Sequence, residues 1–188
     1  MYKVKKYEYL LGTAGFSDKL LKNHFKLYEG YVANVNKMKE LIGSAEIGAP
    51  QYAELKRRFG WEYNGMRLHE LYFGNMKKNA PQIDKNSSIY RTISEGFGSF
   101  EKWMDDFKGA GAMRGIGWVI LAYDKEEGRL FNIWVNEHDV GYLAGATPLL
   151  VMDVFEHAFI LDYGLARGEY IDAFMNAIDW EEVGDRLA

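Results

Sequence analysis

Apolar residues recur at helical spacing along the first part of the chain. Leu20, His24, Leu27, Tyr28, Tyr31, Val35 and Met38 fall on one stripe of residues 17–42, with Ser17 placed as N-cap and Asp18 in the first turn. The stripe predicts a long amphipathic helix ending near Gly43, where GSAEIGAP reads as a turn. A second helix is expected over 50–78, with Met66, His69, Phe73 and Met76 on one stripe, so that the two close into an antiparallel hairpin. KKNAPQIDKNSS (77–88) gathers Pro, Asn and Ser and marks a boundary. Short helices are expected over 88–98 and 99–108, with Ser99 capping the second. GIGWVILAYD (115–124) is rich in β-branched and aromatic residues, KEEG supplies a turn, and RLFNIWVN (129–136) alternates apolar with polar, which predicts a β-hairpin. Short helices return around 155–164, 168–177 and 179–187. The pattern is α+β. A long helical hairpin (1–84) precedes a C-terminal α/β domain (85–188) with a small, about three-stranded antiparallel sheet flanked by helices.

Composition removes several function classes. The net charge of −4 gives no basic surface for a nucleic-acid backbone. The absence of cysteine rules out disulfides, thiolate zinc sites and iron–sulfur clusters. The N-terminal MYKVKKYEYLLG lacks a signal-like apolar stretch, and no window approaches the ~18 apolar residues needed to span a membrane. A soluble cytoplasmic protein is therefore the expectation. GAGAMRG (109–115) precedes a strand instead of opening a helix, so it fails as a dinucleotide fingerprint.

The chemistry concentrates in the histidines and in VMDVFEHAF (151–159), where Asp153, Glu156 and His157 interrupt an apolar run. A buried charge needs a partner or a metal. The four histidines are His24, His69, His138 and His157, and the first two sit on the apolar stripes of the predicted hairpin. A single histidine so placed is more often a core residue bonded to a neighbour. Two of them on facing helices, with Asp153 and His157 also in an apolar setting, shift the balance towards a ligand set. Three imidazoles and a carboxylate without sulfur suit iron or manganese. Asp153 and His157 can point into one site if a strand ends at the first and a helix starts at the second.

DVFEHAF resembles the signature D-x-W-E-H-A-Y of the iron/manganese superoxide dismutase family. FSDKLLKNH (16–24) is similar to the family's first-helix segment, which ends in a ligand histidine, and YVANVN (31–36) to its Y-V-N-N-L-N. GIGWVIL is similar to G-S-G-W-x-W-L, ATPLL (146–150) is present, and LDYGLARGEY resembles I-D-Y-x-N-A-R-P-x-Y. The resemblance runs in order from about residue 10 to 186. It implies His24, His69, Asp153 and His157 as ligands of one iron or manganese ion per subunit, with a solvent molecule in a fifth position. It also implies Tyr31 at the mouth of the site, Trp118 and Phe155 as cavity walls, and Arg167 near the entrance. Glu156 would cross a dimer interface to the ligand histidine of a second subunit, with Tyr163 beside it. The implied activity is an antioxidant one, conversion of superoxide to O₂ and H₂O₂ by a homodimer or a tetramer, with no nucleic-acid or membrane partner. The alternatives are another mononuclear iron or manganese oxygen-activating oxidoreductase on the same scaffold, and a non-catalytic interaction protein that kept the fold.

Three positions depart from the family pattern. His24 and Tyr31 are seven apart, where relatives usually have one residue more. Seven steps of 100° make about two turns, so both share a face of a regular helix, and the π-bulge of the relatives is expected to be absent. Tyr28 then takes the place of a family histidine near the dimer interface. Gly65 stands where iron-type members supply a glutamine, and His138 where manganese-type members supply one. One reading has His138 donate to the bound solvent and titrate between roughly pH 6 and 8; the other has it exposed in a loop. Val151 matches neither metal type, which leaves the metal open. With the chain acidic overall, attraction of an anion falls to local cations, for which Arg167 and Lys26 are the candidates.

Overall fold

The computed structural model describes residues 1–187. Helix α1 (Asp18–Ser44) starts where expected, because the Ser17 hydroxyl accepts the Leu20 amide at 3.0 Å. It is α-helical throughout, without a π turn. Its buried face holds Leu20, Leu21, His24, Tyr28, Val32, Val35 and Met38. Leu27, expected on that face, is instead 37% exposed, since it falls just past one edge of the buried stripe.

Helix α2 (Pro50–Gly74) opens on a proline, whose missing N–H costs nothing in a first turn. It ends four residues before the expected 78 because Asn75 is taken by the sheet. The Asn75 side chain accepts the Val151 amide at 2.8 Å and donates to the Val151 carbonyl at 3.2 Å. Arg186 reaches the same junction, donating to the carbonyls of Leu149 and Leu71 at 2.9 and 3.2 Å.

Helices α3 (Ser88–Phe97) and α4 (Phe100–Gly111) are capped by the hydroxyls of Ser87 and Ser99. The sheet contains β1 (Gly117–Asp124), β2 (Arg129–Asn136) and β3 (Thr147–Asp153) in the order β2-β1-β3, all antiparallel. Central β1 is almost wholly buried, and its register sets Trp118 opposite Asp153. Gly117 permits this close pairing, since a Cβ there would lie 2.0 Å from the Val135 carbonyl oxygen. After β3 come a 3₁₀ turn (Glu156–Ala158), α5 (Ile160–Tyr163), α6 (Arg167–Met175) and α7 (Trp180–Asp185), shorter pieces than the expected 155–164, 168–177 and 179–187. One continuous core joins the hairpin to the sheet. Among the described residues no helix is long and apolar enough to cross a membrane.

Candidate metal centre

Four elements converge where the hairpin meets the end of β3. His24 comes from α1, His69 from α2, Asp153 from the last position of β3 and His157 from the following 3₁₀ turn. Their ligand atoms lie within 4.8 Å of one another. The Nε2 atoms of His157, His24 and His69 stand 3.0, 3.2 and 3.6 Å from Asp153 Oδ2. Asp153 Oδ1 accepts the Phe155 amide at 2.8 Å and its carbonyl accepts the Tyr170 hydroxyl at 2.5 Å, so the carboxylate is fixed in direction.

The electrostatics suit a cation. Burial works to raise the Asp153 pKa, but His157 and His24 outweigh it and hold the carboxyl well below the usual range. Burial in turn lowers the pKa of His24 and, further, of His69, which keeps both imidazoles neutral. The His69 Nδ1–H donates to the Gly65 carbonyl at 2.5 Å, so its bare Nε2 faces the cluster. That buried Nε2 has no hydrogen-bond partner, a loss of about 1–3 kcal/mol in the absence of a ligand. The bare Nε2 of His69 and the anionic Oδ2 of Asp153, 3.6 Å apart, repel unless an ion lies between them. An N₃O set without sulfur fits iron or manganese.

A second layer stands over this cluster. Tyr31 stacks on His69 with ring centroids 5.1 Å apart, and its hydroxyl lies 2.8 Å from His138 Nε2. The Trp118 indole donates to His138 Nδ1 at 3.0 Å. An indole can only donate, so Nδ1 is bare and the proton of the neutral ring sits on Nε2, directed at the Tyr31 oxygen. His138 is delivered inward by a tight loop in which Asn136 and Val140 exchange backbone hydrogen bonds, with Glu137 in the left-handed region at φ 49°.

His138 is fully buried, which disposes of the exposed-loop reading. Both its ring nitrogens are engaged by protein groups, so the nitrogen assigned to solvent is given to Tyr31 instead. Titration between pH 6 and 8 is also corrected: burial pushes this imidazole down to about 4. Gly65 has a steric reason, since a Cβ there would lie 2.6 Å from the Cδ1 and Cε1 atoms of Tyr31.

The remaining expected residues have the following surroundings. Tyr28 is buried within the subunit, donating to Glu70 at 3.0 Å and accepting the Lys5 amide at 3.1 Å, because the unbulged α1 turns it inward. The Tyr163 hydroxyl donates to the Gly15 carbonyl of the same chain. Arg167 ties down the approach to β1 through the carbonyls of Met113 and Gly115 at 2.6 and 2.8 Å. Lys26 is out on the surface, paired with Glu29 at 2.8 Å. Glu156 is exposed, while Phe155 stacks on His138 at 4.8 Å and on His157 at 5.0 Å.

Trp61 was invisible to pattern reading. Its ring lies 4.4 Å from His138 and 5.7 Å from Tyr31, and its indole donates to Glu137 at 2.9 Å, across 76 positions of sequence.

Residues 85–186 match the family model described as iron/manganese superoxide dismutases, C-terminal domain. The chain is 34% identical to an iron superoxide dismutase of Cupriavidus metallidurans, over 93% of this chain and 89% of that one. It is also 34% identical to manganese superoxide dismutase 2 of Haloferax volcanii, over 96% and 91%, and 35% identical to an iron enzyme of Aquifex pyrophilus, over 92% and 84%. Relatives of both metal types stand at the same distance.

Proposed function

The chain belongs to the iron/manganese superoxide dismutase family, and on that footing we propose that it dismutates superoxide, with one iron or manganese ion held by His24, His69, Asp153 and His157. The observation that carries the reading is the convergence of three imidazoles on one buried carboxylate oxygen. When bound, the ion supplies a one-electron couple between trivalent and divalent states, by which one superoxide is oxidised to O₂ and another reduced to H₂O₂.

The protein's own part is to orient, exclude water and hold protons. Asp153 is locked by Phe155 and Tyr170, and His69 by the Gly65 carbonyl. Trp118 and Phe155 wall the cluster. The hydrogen bonds run from Trp118 to His138 to Tyr31, so Tyr31 keeps its own O–H free to point at an anion in the cavity. Burial raises the Tyr31 pKa, so that proton is retained at neutral pH. Peroxide formation consumes two protons, and the Tyr31 hydroxyl is placed to hand over the first.

The space in front of Tyr31 is a cavity of about 220 Å³ lined by Leu27, Asn34, Arg58, Trp61 and Glu62 among others. A homodimer is part of the proposal: Ile160, Leu161 and Leu165, the last 98% exposed, form an apolar group close in sequence to the exposed Glu156. So are the division near residue 84, cytoplasmic residence and the antioxidant role. Metal analysis with a superoxide assay on iron-loaded and manganese-loaded protein tests the reading. Turnover with one metal or both is expected, and a four-ligand protein that binds metal but dismutates with neither would sink it.

A further inference from the structure

An acidic protein repels an anionic substrate at long range, so any attraction must be built locally at the mouth of the site. The two cations that sequence reading offered are engaged elsewhere, Arg167 with backbone carbonyls and Lys26 with Glu29 on the surface. The cavity that ends on Tyr31 has a cation of its own in Arg58.

Arg58 occupies a particular place on α2. Arg58, Trp61, Gly65 and His69 follow at spacings of three, four and four, so one helix face runs from the cavity to a metal ligand. The Arg58 guanidinium lies 3.8 Å over the Trp61 ring. Its Nε and Nη2 reach Glu62 Oε1 at 3.0 and 2.9 Å, and Glu62, only 4% exposed, also accepts Asn34 at 3.2 Å. The stack holds the guanidinium flat against one wall, and its side chain stays 54% exposed to incoming solute. Its charge is felt at both Tyr31 and His138. The neighbouring groove adds Glu54, Arg57, Glu137 and Asp139, of which Arg57 is paired with Glu54 at 3.1 Å.

We propose that Arg58, held over the Trp61 ring, is the residue that draws superoxide into the cavity in front of Tyr31. The proposal rests on the dismutase reading. Since Glu62 partly cancels the guanidinium, charge changes at the two positions must act with opposite sign on an anion.

The test compares metal-loaded wild type with R58Q, R58K and E62Q. Superoxide kcat/KM is measured by pulse radiolysis from low ionic strength to about 1 M, where the screening length falls to about 3 Å. Binding of azide as a small anionic probe is followed by optical titration. At low salt R58Q is expected to lose about two- to tenfold in kcat/KM and to bind azide more weakly, with the kinetic difference vanishing at high salt. E62Q should gain at low salt, and R58K should keep the wild-type salt slope. A salt slope unchanged in R58Q, an E62Q protein slower than wild type, or R58K as impaired as R58Q overturns the proposal. Wild type without turnover on either metal fails the dismutase reading and takes this proposal with it, an outcome distinct from active wild type with an unmoved slope.

Discussion

Substituting Gly65 by alanine adds a single methyl group, and the structure gives two opposing consequences for it. Gly65 has helical backbone, so alanine should favour α2 by about 1 kcal/mol through propensity alone. Against this, the new Cβ lies 2.6 Å from two Tyr31 ring carbons, about 1 Å inside ordinary contact. The helix backbone cannot yield, so Tyr31 must slide, at an overpacking cost of about 1–3 kcal/mol. Sliding also breaks the 2.8 Å bond to His138, a further loss of about 1 kcal/mol. The sum is a net destabilisation of about 1–3 kcal/mol, or a fall of roughly 2–12 °C in melting temperature for a chain of this size. Superoxide turnover should fall with it, because Tyr31 leaves its place over His69. The assay is thermal unfolding of the metal-loaded protein in a double-mutant cycle with Tyr31→Ala. In the Tyr31→Ala background the clash is gone, so Gly65→Ala should there stabilise. If G65A stabilises the protein with Tyr31 intact, the steric account of Gly65 is wrong.

The pH response of His138 follows from its burial. Its folded pKa of about 4 lies below the unfolded value near 6.5, so the unfolded chain takes up a proton first as pH falls. Stability from this group is complete above pH 6.5 and is lost on the way down to pH 4, by up to 6.5 − 4 = 2.5 units or about 3 kcal/mol. Denaturant midpoints of wild type and H138Q should diverge by that much across the window, and parallel curves would contradict a buried neutral imidazole. Activity, in turn, should show no His138 titration between pH 6 and 8. Removing the metal with a chelator should lower the melting temperature, by the equivalent of about 4 kcal/mol when the ion is at 1,000 times its Kd; H69A should already sit near the apo value and show sub-stoichiometric metal on elemental analysis. Asn75→Ala leaves the Val151 amide and carbonyl without their partner and should cost about 2–4 kcal/mol in urea unfolding, while metal content stays whole.

Much of the site was legible because its signals are local. His24 and His69 stand out as polar residues on apolar stripes, and Asp153 and His157 as charge inside a core run; these signals pointed to a ligand set, and the resemblance to the family completed it. The hairpin and the strand pair were legible from periodicity. What pattern could not supply is whatever depends on a distant partner. The end of α2 is decided by Asn75 meeting Val151, 76 residues away. Tyr28 faces Glu70 because an unbulged helix turns it inward, a consequence the seven-residue spacing already implied but that comparison with relatives obscured. Arg58 and Trp61 carry no pattern signal of their own, because their partners Glu137 and Tyr31 lie far from them in sequence.

The indole at the root of the hydrogen-bonded chain has a consequence for proton supply. Trp118 is fully buried and cannot accept a hydrogen bond, so the line from Trp118 through His138 to Tyr31 is a spur and not a wire. A proton spent by Tyr31 cannot be replaced from the interior end. Its replacement must come from solvent; if the anion enters past Arg58 as proposed, that solvent lies in the same opening. On that reading substrate and protons share one door, and whatever narrows it slows both.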